Sequence, residues 1–358
     1  MKNDRPTAKS QTIGLDLGDQ QSHFCVLDAE GKVQREGTVS TNPTAFRKFF
    51  SSVAFSLVVL EVGTHSRWVS ELLMSIGHQV LVANAGKVSL IHQSDRKNDR
   101  LDARNLARLA RIDPDLLSPI THRDEKAQAG LSVIRARDVR VRSRTALINC
   151  VRGLVKPTGA RLPSCASTYF CGKVASLIAP SLLPAIAPLL EQIDSLSNAI
   201  LEYDEQIKHI AQTEHPETAL LEQISGVGAL TALTFVLTLA DPHRFAKSRK
   251  VGSYLGLRPR QDQSGERSPQ LGICKAGDNY LRRLLVGSSQ YILGPFGQDS
   301  DLRRWGLKLA ERGGKNAKKR AVVAVARKLA VLLHHLWMTG EVYEPLRNTR
   351  KAMAAVAA

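Results

Sequence analysis

Four carboxylates in this sequence sit where packing alone would not place them. The apolar run Ile13-Gly14-Leu15-Asp16-Leu17-Gly18 and the run Val58-Val59-Leu60-Glu61-Val62-Gly63 each carry one acid near their end, two residues before a glycine. An acid among apolar neighbours in a strand is costly unless it faces a solvent cleft or a cation. A third acidic site, Asp99-Arg100-Leu101-Asp102, opens a helical pattern, and residues three apart share one helix face. Two acidic strand ends and an acidic helix start could together hold two magnesium ions. Such ions, roughly 3.5–4 Å apart, would clamp the attacking and leaving oxygens of an in-line phosphodiester displacement. Taken singly, Asp99 and Asp102 can also be read as helix-start residues that complement the dipole. Asp19, Asp28 and Asp95 are the bystanders, and Asp95 is the hardest of them to set aside.

Two further stretches bear on chemistry. Ile224-Ser225-Gly226-Val227-Gly228-Ala229 reads as the turn of a helix–hairpin–helix element, with Gly226 and Gly228 letting backbone amides approach a phosphate. A Gly-x-Gly turn also joins packed helices that bind nothing. Downstream, Ser264 lies in a polar, glycine-containing loop among Arg258, Arg260 and Arg267, followed by Lys275, Arg282 and Arg283. A serine hydroxyl becomes a nucleophile only with a base, a metal or cations nearby. On chemistry alone Ser264 is an ordinary loop serine, and Ser225, Ser253 and Ser268 are equal candidates.

The elements that must position these groups follow from periodicity. Strands are expected at 12–17, 23–27 and 32–40, a helix at 43–50, and a buried strand at 56–62. A helix at 66–76, a strand at 79–83 and a helix at 101–111 follow. Three strands, then helices alternating with strands, suit a ribonuclease-H-like α/β domain better than the regular βα repeat of a dinucleotide-binding fold. Residues 123–155 form a long helix rich in arginine, including Arg135, Arg140 and Arg144. Three prolines make 156–180 irregular. A second long helix carries Ile186, Leu189, Ile193, Leu196, Ile200, Tyr203, Ile207 and Ile210 at alternating steps of three and four. That heptad seam serves either a hairpin within one chain or a coiled coil between protomers. The remainder, to about residue 343, is mostly helical. The expected organisation is a polar disordered tail at 1–10, an α/β catalytic domain at 11–118 and a helical coiled-coil linker at 119–215. A mostly helical domain at 216–345 and a flexible tail at 346–358 complete it.

Composition narrows the class of partner. Lys and Arg number 50 against 33 Asp and Glu, a net charge of +17, which attracts polyanions and nucleic acid above all. Residues 241–330 hold 20 Lys or Arg against 7 Asp or Glu, so most of the surplus lies in one region, as a nucleic-acid surface requires. The five scattered cysteines form no Cys-x-x-Cys pair and suggest neither a zinc ribbon nor a disulfide framework. The polar start lacks the apolar stretch of a signal peptide, and the run 321–338 is broken by Arg327 and Lys328. A cytoplasmic protein with no membrane partner is therefore expected.

As a set these residues resemble a known family. Asp16, Glu61 and Lys97-Asn98-Asp99-Arg100-Leu101-Asp102-Ala103 resemble the DEDD, RuvC-like domain of the insertion-sequence 110 family of transposases. The Ser225–Ala232 hairpin, Gly256-Leu257-Arg258-Pro259, Gln263-Ser264-Gly265 and Lys275-Ala276-Gly277 with Leu281-Arg282-Arg283 resemble that family's C-terminal transposase domain. Asn98, where threonine is the commoner residue, and Ala276 are small departures. The resemblance implies that Asp16, Glu61, Asp99 and Asp102 bind Mg2+ and that Ser264 forms a covalent serine–DNA intermediate. It further implies a structured guide RNA that pairs with donor and target DNA, and dimers that pair into tetramers in which domains of different protomers complete one active site. Two other readings of the same residues stand beside it. One is a metal-dependent junction-resolvase type of nuclease that uses water as nucleophile and has no need of Ser264. The other is a non-enzymatic nucleic-acid-binding protein, which would leave Asp16 and Glu61 without a purpose.

Overall fold

The structure is a computed structural model that describes residues 11–84, 98–267, 269 and 271–350. The expected tail at 1–10, Asp95, Lys97 and Ser268 lie outside the described residues. The chain divides into two compact units, Met1–His122 and Arg123–Ala358.

The first unit is built on a five-stranded sheet of order β3-β2-β1-β4-β5. Strands β1 (Gln11–Asp16), β2 (Gln21–Leu27) and β3 (Val33–Ser40) form an antiparallel meander. Strands β4 (Ser56–Glu61) and β5 (Gln79–Ala83) run parallel to β1. Parallel neighbours need crossover connections, and helices α1 (Pro43–Phe50) and α2 (Ser66–Ser75) supply them. Asn42 caps α1 by accepting from the Ala45 amide, with Pro43 in the first turn. Phe46, Phe50, Val69 and Leu73 of these helices bury one sheet face through Ile13, Leu15, Val58 and Leu60. The other face is covered by α3 (Asp99–Ile112), whose Ala103 and Ala107 meet Cys25 and Leu27 while Leu106 and Ala110 meet Leu57 and Val59. With both faces covered, β4 reads as an unbroken apolar run. The expected strands and helices of this unit fall within two residues of those found.

The second unit is almost wholly helical. Its first part is an antiparallel hairpin of α4 (Glu125–Val155) and α6 (Leu183–Glu214), in which Arg137 pairs with Asp204 and Arg144 with Ser197. Short turns and α5 (Phe170–Val174) fill the connection, where irregular chain is expected. The heptad seam is closed inside the chain. Ile186 and Ile193 pack against Ile148, Val151 and Val155 of α4, and Ile207 packs against Ala127, Leu131 and Ile134. Within one chain the intramolecular hairpin takes up this seam. The root of the hairpin shares its core with Leu233 and Leu237 of the helix Ala229–Leu239.

After α7 (Thr218–Glu222) and α8 (Ala229–Leu239) come α9 (Arg249–Tyr254), α10 (Asn279–Leu293), α11 (Asp301–Ala310) and α12 (Ala317–Thr339). Helix α12 is long and apolar enough to cross a bilayer by length and composition. Here it is a core helix: Val325, Ala326, Leu329, Ala330 and Leu333 are fully buried among Phe235, Leu239, Val251 and Leu285. Residues 346–350, expected to begin a flexible tail, are held instead. The Asn348 and Thr349 amides donate to the Asp301 carboxylate, and the Arg350 amide donates to Leu346 O.

Candidate metal and nucleic-acid sites

The end of β1 and the start of α3 bring three carboxylates together. Asp16, Asp99 and Asp102 each place one oxygen within 4.8 Å of those of the other two. Their approach depends on Gly14. A Cβ on Gly14 would stand 1.9 Å from the Ala103 carbonyl oxygen and 2.6 Å from the Ala107 amide nitrogen. Only glycine therefore lets α3 lie this close to β1 and set its acidic first turn beside Asp16. Asn98 starts the helix by accepting from the Arg100 amide, so this departure from threonine keeps a capping side chain. Glu61 ends the parallel neighbour of β1. Leu15 stands opposite Leu60, and strand alternation then turns Asp16 and Glu61 to the same face, the one that α3 covers.

The site carries more negative charge than its surroundings balance. Burial pushes the Asp16 carboxyl up to about 6, and Asp99, Asp102 and Glu61 add to the rise, against a smaller opposing effect of His23. Hard carboxylate oxygens clustered in this way fit a divalent cation such as Mg2+. Among the expected bystanders, Asp28 accepts from the amides of Glu30 and Lys32 as a turn former, and Asp19 lies 3.3 Å from His65.

Two neighbours of this cluster escape a reading of the sequence. His23 is the register partner of Asp16 across β2, and its Nε2 lies 3.9 Å from Asp99. Counting back from a tight β1–β2 turn would have found it. Glu36, with a side chain only 7% exposed, accepts from Arg104 and Arg100 and so ties α3 to β3. These arginines, Arg104 foremost, hold its carboxyl down at about 2. The partners lie 64 and 68 residues away, beyond any local pattern.

Ser264 lies in a loop beyond a short two-stranded ribbon that pairs Pro259 with Ile273. Cys274 donates to Arg258 O and Arg260 to Gly272 O, while Ser264 and Arg267 exchange backbone hydrogen bonds across the turn. Gly256, at φ +69°, would place a Cβ 2.2 Å from Ala276 O. The Gly-Leu-Arg-Pro and Lys-Ala-Gly motifs are thus the two interlocked ends of one ribbon. Arg258, Arg260, Ser264, Arg267 and Lys275 are all exposed on it. Gly226 and Gly228 lie in the turn between α7 and α8, and Gly228 is the N-cap of α8 with no side-chain hydrogen bond. That leaves first-turn amides uncapped by side chains.

The arginines expected to meet nucleic acid divide. Arg135 is exposed. Arg140 lies over the Tyr203 ring, and Arg144 donates to Ser197 with its Nε buried and unpartnered. Arg283 pairs with Asp138 at 2.9 Å while half exposed. Arg282 must be withdrawn from the contact set. It is 8% exposed and donates to Leu255 O, Ala276 O and Asn279 Oδ1, because the ribbon's closing turns leave carbonyls that only a buried guanidinium reaches.

Comparison with known proteins covers both regions of the chain. Residues 13–159 match a DEDD transposase family model of the IS110 type, and residues 218–293 match the model for transposases of the IS116/IS110/IS902 family. The chain is 30% identical to the transposase for insertion sequence element IS1111A of Coxiella burnetii, across 92% of this chain and 90% of that protein. It is 28% identical to a probable family 20 transposase of Pseudomonas aeruginosa, across 93% and 98%. The transposase for insertion sequence element IS1328 of Yersinia enterocolitica is 28% identical across 76% and 81%. Matched at both ends and along nine-tenths of such a relative, the chain belongs to the IS110 family of transposases.

Proposed function

We propose that the first unit is a RuvC-like DEDD nuclease domain and that the second supplies Ser264 as the nucleophile of DNA strand transfer. The observation that carries this reading is the convergence of Asp16, Asp99 and Asp102 beside Glu61. Asp16, Glu61, Asp99 and Asp102 would hold one or two Mg2+, which supply positive charge to the phosphodiester oxygens when bound. Gly14 and the Glu36–Arg104 pair keep the acidic helix start in place.

The Ser264 hydroxyl attacks phosphorus and loses its proton to solvent. A phosphorus–oxygen bond forms to serine, and the one to the departing sugar oxygen breaks, with that oxygen taking up a proton. Attack by a sugar hydroxyl on the serine ester reverses the step and rejoins the DNA. Exposed Arg258, Arg260, Arg267 and Lys275 draw phosphates to the ribbon. The uncapped amides after Gly228, in a helix–hairpin–helix role, offer sequence-independent phosphate contacts. The net charge of +17 suits the simultaneous binding of donor DNA, target DNA and a structured guide RNA. Dimers that pair into tetramers would let one protomer's carboxylates serve another's Ser264.

The test is divalent-dependent cleavage of a DNA carrying the element's own ends, with its guide RNA. Wild type cuts with Mg2+ and not with EDTA. Asp102→Asn and Asp16→Asn abolish cutting while DNA binding persists. Undiminished cutting by either variant would sink the reading.

A further inference from the structure

We propose that a groove beside the Ser264 ribbon is a binding site for an unpaired DNA strand. This inference rests on the reading of Ser264 as a DNA nucleophile and names the strand that would lie next to it. The groove has a volume of about 1140 Å3. One wall is the base of the ribbon, at Leu257, Pro259, Ile273 and Lys275. The other is formed by Trp305 and Leu309 of α11 and by the outer face of α12.

Its chemistry is two-sided. Arg249, Lys275, Arg312, Lys319, Arg320 and Arg327 line it, and among the described residues no carboxylate does. All six are exposed, and among the described residues none of them is ion-paired. Lys328 stands over the Trp305 ring at 3.9 Å from its centroid and adds a seventh cation. Helix α9 approaches closely enough to shape the groove because Gly252 has no side chain. A Cβ there would meet the Arg327 stem at 2.9 Å.

A duplex presents phosphates on a convex surface and keeps its bases stacked inside. It would meet the cations and leave the apolar walls wet. An unpaired strand fills both parts, with phosphates along the rim and bases against Pro259, Ile273 and Trp305. Cationic grooves floored by aromatic side chains bind single strands in this way. Pro259 of this ribbon precedes Ser264 by five residues, so the groove wall and the nucleophile are joined by a short stretch of chain.

The experiment measures binding of fluorescein-labelled dT12, U12 and a 12-base-pair duplex to the full-length protein by anisotropy, across a salt series. The proposal expects dT12 to bind more tightly than the duplex and to quench the fluorescence of Trp305. Lys319→Glu combined with Arg320→Glu should weaken dT12 binding about tenfold and lower the salt slope by roughly one to two. Trp305→Phe, which keeps the packing volume, should bind a few-fold more weakly and lose most of the quenching. Ser264→Ala and Asp16→Asn should bind dT12 like wild type, so failure of the catalytic reading and failure of the groove give different results. Tighter binding of duplex, or charge reversal that leaves dT12 binding unchanged, would overturn the proposal. Preference for U12 would assign the groove to RNA and overturn it as a DNA site.

Discussion

Gly14 of β1 lies directly beneath the Ala103 carbonyl of α3, so close that a methyl group at Gly14 would come within 1.9 Å of that oxygen. This contact sets the height of α3 above the sheet and hence the separation of Asp99 and Asp102 from Asp16. Gly14→Ala should therefore destabilise the protein by about 1–3 kcal/mol, the usual cost of overpacking. It should also lower metal-dependent cleavage more than the stability loss explains. Urea denaturation and single-turnover cleavage, both at 25 °C, measure the two effects. A variant of normal stability and normal activity would show that the contact does not position the site.

The Asp16 carboxyl gives a pH signature. Its value in the fold, about 6, lies above the ordinary 3.8, so the fold binds a proton that the unfolded chain has already released. The associated stabilisation is fully present below about pH 4 and is lost as pH rises through 6. The metal-free protein should melt at a higher temperature near pH 5 than near pH 7.5. Asp16→Asn should flatten the difference, and millimolar Mg2+ should restore wild-type stability at pH 7.5 with little effect on the variant. Identical pH profiles for wild type and Asp16→Asn would contradict the crowding of charge at this site.

Glu36 should behave in the opposite sense. Its carboxyl is held down at about 2 by Arg104 and Arg100, so its contribution is present above about pH 4.5 and fades as pH falls towards 2. Glu36→Gln leaves Arg104 facing a neutral amide and should cost about 1–3 kcal/mol at pH 7. The same change should weaken Mg2+-induced stabilisation, because α3 loses its tie to β3. Calorimetry with and without Mg2+ reads both, and unaltered stability at pH 7 would rule the tie out.

Adjacent arginines should separate cleanly. Arg282→Ala should cost about 2–4 kcal/mol by leaving the buried carbonyls of Leu255 and Ala276 without their donor. Arg258→Ala, Arg260→Ala and Arg267→Ala should keep stability, and each should lower the salt slope of DNA binding by about one. A stable Arg282→Ala protein with impaired DNA binding would reverse this assignment.

Those arginines also mark the limit of what the sequence carries. Asp16 and Glu61 were legible because an acid ending an apolar strand has no packing explanation, and Asp99 with Asp102 because i, i+3 spacing is a helix face. Arg282 and Arg283 look alike in a row of letters. Only the rotation of α10 against the ribbon decides that the first is buried and the second pairs with Asp138. The heptad pattern of α6 established that one stripe is buried and was silent on which helix covers it, since periodicity describes a surface and not its partner. Glu36 and Gly14 act through α3, which arrives from more than 60 residues away, and such contacts leave no local spacing to read.

Cooperation between protomers has its own test. If carboxylates of one protomer serve Ser264 of another, a mixture of Asp16→Asn and Ser264→Ala proteins should regain part of the activity that each lacks alone. A mixture as inactive as its components would place all catalytic groups of a cut within a single chain.

In the proposed reaction DNA is cut by Ser264 and not by water. The most direct measurement is a denaturing gel of labelled element-end DNA incubated with protein, guide RNA and Mg2+. Wild type should give a slow-migrating protein–DNA adduct that protease removes, and mass spectrometry should place the nucleotide on Ser264. Ser264→Ala should bind the DNA, form no adduct and yield no recombinant product. Normal cleavage by Ser264→Ala, with free DNA ends and no adduct in the wild-type lane, would contradict the account and assign the chemistry to a water nucleophile at the carboxylates.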